Sequence, residues 1–163
     1  MAEIATVARP YAEAAFRTAL EARDLAGWSG ALALAGAIAA EGRMADLLAN
    51  PRLSRARKLE FFFSVGGDKF PPAVRNLVTL LVDGHRASLL PEIAMQFDAL
   101  KRTHESVLKA RIVSARPLAD AERDDLVASL ARKYDRRIEA TVEIDASLIG
   151  GARVHVGDEV IHA

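Results

Sequence analysis

Val107-Leu-Lys-Ala-Arg-Ile-Val-Ser114 decides the fold, because here the chain changes its period. Everything before it repeats apolar residues at helical spacing, whereas this octapeptide sets β-branched residues in a strand-like context. Working outward, Ile138-Glu-Ala-Thr-Val-Glu-Ile144 largely alternates apolar and polar residues, the period of a half-buried strand. Between the two lies a helical stretch, Asp120 to Tyr134, with Leu126, Val127 and Leu130 on one side. Val154 and Val156 alternate up to Gly157-Asp158 and Val160 follows. A Gly-Asp pair between short strands predicts a tight hairpin. Residues 106–163 therefore read as a small β-α-β-β domain, and the switch near residue 105 reads as the domain boundary.

Upstream, residues 1–105 read as a compact bundle of six short helices, so the expected class is α+β. The first helix runs over Thr6–Ala22, and its Ala12, Phe16, Ala19 and Leu20 share one face suited to a core. Arg9, Glu13, Arg17 and Glu21 form an i,i+4 row of alternating charge suited to water. A third strip, Tyr11, Ala14, Ala15, Thr18 and Ala22, carries one aromatic among small residues. It reads either as a second packing side within the domain or as the wall of a groove for a partner helix. Pro10 is expected in the first turn, where a missing N–H costs little.

A second helix is expected from Asp24 to Ala40, weakened by Gly27, Gly30 and Gly36 and so dependent on packing. A short helix, Met44 to Ala49, stops before Asn50-Pro51. Ser54 is the N-cap expected for the fourth, with Leu59, Phe62 and Phe63 inward and Gly66-Gly67 at its end. The fifth opens at Pro71-Pro72 and closes at Gly84. Its Val74, Leu77, Val78 and Leu81 make a core face, and Asn76, Thr79, Leu80 and Asp83 make a mixed face with one large apolar member. A sixth follows Leu90-Pro91 and reaches about Glu105.

Half of the 163 residues are hydrophobic, enough for a substantial core. Lysine plus arginine equals aspartate plus glutamate at 22 each, which argues against non-specific nucleic-acid binding as the main business. Cysteine is absent, which excludes disulfides and thiolate metal sites. No run of apolar residues is long enough to span a membrane, and the opening residues do not resemble a signal peptide. A soluble protein is expected, with any membrane contact made through a partner.

Catalytic constellations are not legible. His85, His104, His155 and His162 are scattered without metal-ligand spacing. Gly150-Gly151-Ala-Arg-Val-His-Val-Gly157 leads into a strand rather than opening a helix, so it reads as a turn or bulge and not a phosphate cradle. Asp120, Glu122, Asp124 and Asp125 crowd a helix start, and Arg132, Lys133, Arg136 and Arg137 its end, where the helix dipole favours each. The basic group is the basis of an alternative reading as a helical nucleic-acid-binding module, although only Tyr134 offers a stacking ring. A small enzyme built from the histidines and acids is a third reading, without a motif behind it.

Several stretches, in order along the whole chain, resemble the delta subunit of bacterial F-type ATP synthase, related to the mitochondrial oligomycin-sensitivity-conferring protein. They are Ala8-Arg-Pro-Tyr11-Ala-Glu-Ala-Ala-Phe16, Asn50-Pro-Arg-Leu-Ser54, Asn76-Leu-Val-Thr-Leu80-Leu-Val-Asp-Gly84-His-Arg86 and Ser114-Ala-Arg-Pro-Leu118. The most specific is Ile144-Asp-Ala-Ser-Leu148-Ile-Gly-Gly151, followed by Gly157-Asp-Glu-Val-Ile161. Two departures stand out: Ala119 occupies a position where the family often has a serine or threonine N-cap, and the family pattern continues with an Asp-Gly-Ser-x-Arg-type segment and a final helix where this sequence ends at Ala163.

The resemblance implies a non-catalytic stator part with no cofactor and no metal. By it, residues 1–105 grip the amphipathic N-terminal helix of an alpha subunit, and residues 106–163 meet the ends of the peripheral-stalk b subunits. The helices carrying Tyr11, Ala14, Ala15 and Thr18 and carrying Asn76, Thr79, Leu80 and Asp83 are those whose family counterparts form the alpha-binding groove. Tyr11 and Leu80 are the expected anchors. Leu148 and Ile149 read as core of the second domain rather than as contacts. The implied location is the cytoplasmic face of the cell inner membrane, peripheral, held there through the complex.

Overall fold

The computed structural model describes residues 2–162 and is α+β, in two compact units, Met1–Lys101 and Arg102–Ala163. The first holds α1 (Ala2–Glu21), α2 (Leu25–Ala40), α3 (Gly42–Ala49), α4 (Arg55–Gly66), α5 (Pro72–Asp83) and α6 (Leu90–Glu105), the last running past the unit boundary. Single 3-10 turns, Gly67–Lys69 and Ala87–Leu89, precede α5 and α6.

Side-chain caps start three of these helices. The Asp24 carboxylate accepts from the Gly27 N–H at 3.1 Å, Glu41 from Met44 at 2.9 Å, and the Ser54 hydroxyl from Arg57 at 3.2 Å. Each satisfies a donor that the first helical turn leaves unpaired. The two Met44 and Arg43 N–H bonds also hold the Glu41 carboxyl below the usual carboxylate range.

Against the sequence reading, α1 begins four residues early, at Ala2, so Pro10 lies inside the helix and not in its first turn. Ala5 is tied there by tertiary structure, its carbonyl accepting from the Gln96 side chain of α6 at 2.8 Å.

Helix α2 is the centre of the first unit. Trp28, Ala31, Leu32, Ala35, Gly36, Ile38 and Ala39 are all buried along it, so packing offsets the low helical propensity of its glycines. At Gly36 the absence of a side chain is structural: a Cβ would stand 3.1 Å from the Pro91 Cα at the start of α6. Ser29 donates to Asp98 at 2.6 Å, tying the same two helices. Around α2 pack Ala8, Ala12, Ala15 and Ala19 of α1, a seam of small residues that permits close approach, together with Phe62, Val78, Leu81, Ile93 and Phe97. Phe16 meets Phe97 edge-on at 5.8 Å, and Phe62, Phe63 and Phe70 form a second aromatic cluster.

The second unit contains β1 (Val107–Ser114), α7 (Asp120–Tyr134), β2 (Arg137–Ile144), β3 (Ala152–Val156) and β4 (Glu159–His162). The sheet order is β2-β1-β3-β4, with β1 and β2 parallel and the other pairs antiparallel. The expected β-α-β-β unit thus gains a strand. Gly157, at φ +58, turns the chain so that Glu159 pairs with Val156, and β4 is too short to display an alternation of its own. Helix α7 covers one sheet face through Leu126, Leu130 and Tyr134, against Ala110, Ile112, Val154 and Val156. Its last turn is locked to β4, where the Tyr134 hydroxyl donates to Glu159 at 2.6 Å. Ala119, at the N-cap of α7, makes no side-chain capping bond.

Candidate partner-binding site

At 100° per residue, the buried alanines of α1 fix which way the helix faces. Phe16 and Ala5 lie to one side of that seam, toward α6. Tyr11 lies to the other, half-buried against the core. Tyr11 continues outward into a solvent-facing strip with Ala14 and Thr18, both exposed, and Thr18 turns its hydroxyl back to the Ala14 carbonyl at 3.0 Å. Ala15 does not belong to the strip: it is buried in the seam at 5 % exposure. The structure adds two members, Ile4 and Val7, both exposed and upstream at the same spacing.

On α5, Val74, Val78, Leu81 and Val82 are buried. Arg75 turns toward α4, its guanidinium 4.1 Å from the Phe63 ring centroid and donating to the Gly67 carbonyl at 3.0 Å. Thr79, half-buried, follows on that side with its hydroxyl on the Arg75 carbonyl at 2.8 Å. Leu80 lies about 140° further round from Arg75 and is 60 % exposed, an outlier on a helix whose other leucines are covered. Asn76 is exposed beside it. Asp83 is half-buried, its Oδ1 enclosed with no hydrogen-bond partner among the described residues.

The two helices are joined where α5 ends. Arg86 Nη1 donates to the Tyr11 hydroxyl at 2.7 Å, linking residues 75 positions apart. His85, at φ +58, and the Gly84 and Arg86 N–H bonds to Leu80 and Leu81 form the turn that aims Arg86 back toward α1. The arrangement offers an aromatic ring, a set of branched aliphatic side chains and few charges. That chemistry suits the apolar face of a helix rather than a reaction.

Elsewhere the sequence candidates stay dispersed. No group of three or more potential metal ligands occurs among the described residues. Arg132, Lys133, Arg136 and Arg137 are exposed, and Lys133 is engaged with Glu159 at 3.9 Å and with the Tyr134 ring. Leu148 is half-buried, but Ile149, expected in the core, is fully exposed in the β2–β3 loop. That loop is held by Asp145, which accepts from the Ser147 hydroxyl at 2.6 Å and N–H at 3.0 Å and is thereby kept below the usual carboxylate range. Gly150 and Gly151, at φ +72 and +68, make the turn expected of them. No helix is long and apolar enough to cross a membrane among the described residues.

Comparison with known proteins gives this geometry a family. The sequence model described as ATP synthase delta (OSCP) subunit matches residues 7–163. The ATP synthase subunit delta of Nitrosospira multiformis is 45 % identical over 163 residues, covering 100 % of this chain and 92 % of that one. That of Burkholderia multivorans is 48 % identical over 165 residues, covering 99 % and 90 %. Among solved structures, a chain of the Toxoplasma gondii mitochondrial ATP synthase hexamer superposes with a TM-score of 0.50 at 23 % identity, covering 94 % of this chain and 87 % of that one, a likeness of fold. The chain belongs to the ATP synthase delta (OSCP) subunit family.

Proposed function

We propose that this chain is the stator subunit of a proton-translocating F-type ATP synthase, joining the catalytic head to the peripheral stalk and resisting rotor torque. Family membership makes it a structural part of the complex rather than a catalyst. The finer assignment is that residues 1–105 bind the N-terminal helix of an alpha subunit between α1 and α5, with Tyr11 and Leu80 as anchors. Ala14, Thr18 and Asn76 flank them, Thr79 and Asp83 edge the site, and Ala15 acts from beneath as a spacer. Residues 106–163 meet the b subunits. The work is mechanical: torque is borne by two protein–protein joints, and no bond is made or broken in this chain. The complex places it at the cytoplasmic face of the cell inner membrane, with membrane contact only through its partners and no role for nucleic acid.

The observation that supports the alpha-binding reading is the exposure of Leu80, a large apolar side chain left uncovered on α5, whose end is tied to α1 by the Tyr11–Arg86 bond. The test is a calorimetric titration with a peptide of about twenty residues from the N-terminus of the cognate alpha subunit, enough for several helical turns. Saturable one-to-one binding that Leu80→Glu abolishes with the fold intact is expected. Failure of the wild-type chain to bind sinks the assignment, and binding indifferent to Leu80→Glu moves the site elsewhere.

A further inference from the structure

Helix α7 covers one face of the sheet, and the opposite face is built from charged residues. There the strand register sets Thr141, Arg111 and His155 side by side across β2, β1 and β3, with Glu139 and Lys109 paired in the adjacent row. Side chains directly opposite on neighbouring strands are within reach of one another, as are those two positions along. These five residues and Gly157 line an open recess of about 500 Å³. Lys109, Arg111, Glu139 and Thr141 are exposed, and His155 is half-buried.

The fold leaves the polar groups of this recess largely uncommitted. Lys109 and Glu139 are partners in register yet form no ion pair, and neither Lys109 nor His155 has a hydrogen bond or ion pair among the described residues. Arg111 engages Nη1 alone, which donates to Glu143 at 3.2 Å, so the rest of its fork is free to donate. Farther along the same face, Arg153 lies in the field of Asp145 and outside the recess.

An ammonium, a guanidinium, an imidazole and a hydroxyl thus line one recess against a single carboxylate. That donor set suits a phosphoryl group, whose oxygens accept charge-assisted hydrogen bonds and whose geometry the planar guanidinium matches. A protein partner is disfavoured, because Val160 is the only large apolar side chain exposed on this face among the described residues, too little for a buried anchor cluster. A bilayer is disfavoured for the same lack of apolar side chains, whereas a recess of this size is ordinary for a small molecule.

We infer that this recess binds a soluble phosphate ester, its phosphoryl group held by Lys109, Arg111 and His155 with the Thr141 hydroxyl as a further donor. Glu139, the one carboxylate of the lining, limits the affinity by repulsion. The site is independent of the stator reading and needs neither of its joints.

The test is an amide NMR titration of the full chain with inorganic pyrophosphate, with adenosine monophosphate and, as the phosphate-free control, with adenosine. Saturable shifts around Lys109, Arg111, Thr141, His155 and Gly157, with a Kd of about 1 mM or tighter, are expected for both phosphates and not for adenosine. The Lys109→Gln/His155→Gln variant, its spectrum elsewhere that of the wild type, is expected to weaken pyrophosphate binding by about tenfold or more. Glu139→Gln is expected to tighten it by about threefold, a gain that a merely structural role for these side chains does not produce. Failure to saturate, or shifts scattered over other surface cations and unchanged in the Lys109→Gln/His155→Gln variant, overturns the site. Binding to vesicles of anionic phospholipid without binding to pyrophosphate or adenosine monophosphate makes a lipid headgroup the ligand, and overturns the inference as well.

Discussion

Leu80 and Leu81 are adjacent on α5 and should fail in opposite ways when cut back to alanine. Leu81 is 1 % exposed and Leu80 60 % exposed. Full burial of a leucine side chain is worth about 1.5–3 kcal/mol, so the 60 % still in water leaves about 1–2 kcal/mol to be gained when a partner covers it. Leu80→Ala should then weaken binding of the alpha peptide by about five- to twentyfold, while costing the free chain below about 1 kcal/mol, because only the smaller part of the side chain is covered. Leu81→Ala removes a core side chain and leaves a cavity, which costs about 2–5 kcal/mol. Paired calorimetric titrations and urea denaturation of the two variants read both quantities. If Leu80→Ala unfolds at as low a urea concentration as Leu81→Ala, Leu80 is core and its exposure is misread. If its peptide affinity equals that of the wild type, the partner does not cover this edge of α5.

Four further outcomes follow from single contacts. Ala119→Ser supplies the side-chain cap that α7 lacks and should stabilise the second unit by about 0.5–1 kcal/mol in denaturant titration. Asp83→Asn removes a charge from the C-terminal end of α5, where the helix dipole opposes it and one oxygen is enclosed without a partner among the described residues; the free chain should gain about 0.3–1 kcal/mol. A double-mutant cycle of Tyr11→Phe and Arg86→Ala should show a coupling of about 0.5–1.5 kcal/mol for their 2.7 Å bond. Asp145 ionises more readily in the folded loop than in the unfolded chain, so its contribution is present above the ordinary carboxylate pKa and is lost as pH falls through the lowered folded value. Carboxyl NMR titration should place Asp145 below the usual range, and Ser147→Ala, which removes the hydroxyl bond and keeps the N–H bond, should raise it part of the way back.

Helix limits were legible where the chain punctuates itself. Pro71-Pro72 and Gly84 bracket α5, and Ser54 caps α4, because proline, glycine and a capping hydroxyl act locally. The start of α1 was not, since Ala2 and Ile4 carry no capping signal and the first turn is tied down at the Ala5 carbonyl by Gln96, some ninety residues away. The candidate site divides in the same way. Tyr11 and Leu80 stood out as large side chains in otherwise polar or small strips. Ala15, however, differs from the strip by only about 40° of helix rotation from Tyr11, and alanine gives hydropathy too little contrast to resolve that. Ile4 lies upstream of the helix that the sequence predicts, whereas Val7 lies within it and continues the strip one turn before Tyr11. Ile149 failed for a different reason: an isoleucine next to a leucine before two glycines looks like core until the loop's path is known. The Tyr11–Arg86 bond joins ends of the first unit that no periodicity connects.

Pro10 gives the proposed groove wall a joint. Within α1 it has no N–H to donate to the Thr6 carbonyl, so the ladder of helical bonds loses a rung between the turn carrying Ile4 and Val7 and the turns carrying Tyr11, Ala14 and Thr18. The two segments of the wall therefore need not open together. The downstream one shares the fate of the alanine seam and the Arg86 link, and the upstream one hangs on Ala8 and the Gln96 clasp. In hydrogen–deuterium exchange, the amides before Pro10 should trade their protons sooner than those after it. A docked helix that spans the joint would slow the early amides most, turning the first two turns into a gauge of occupancy.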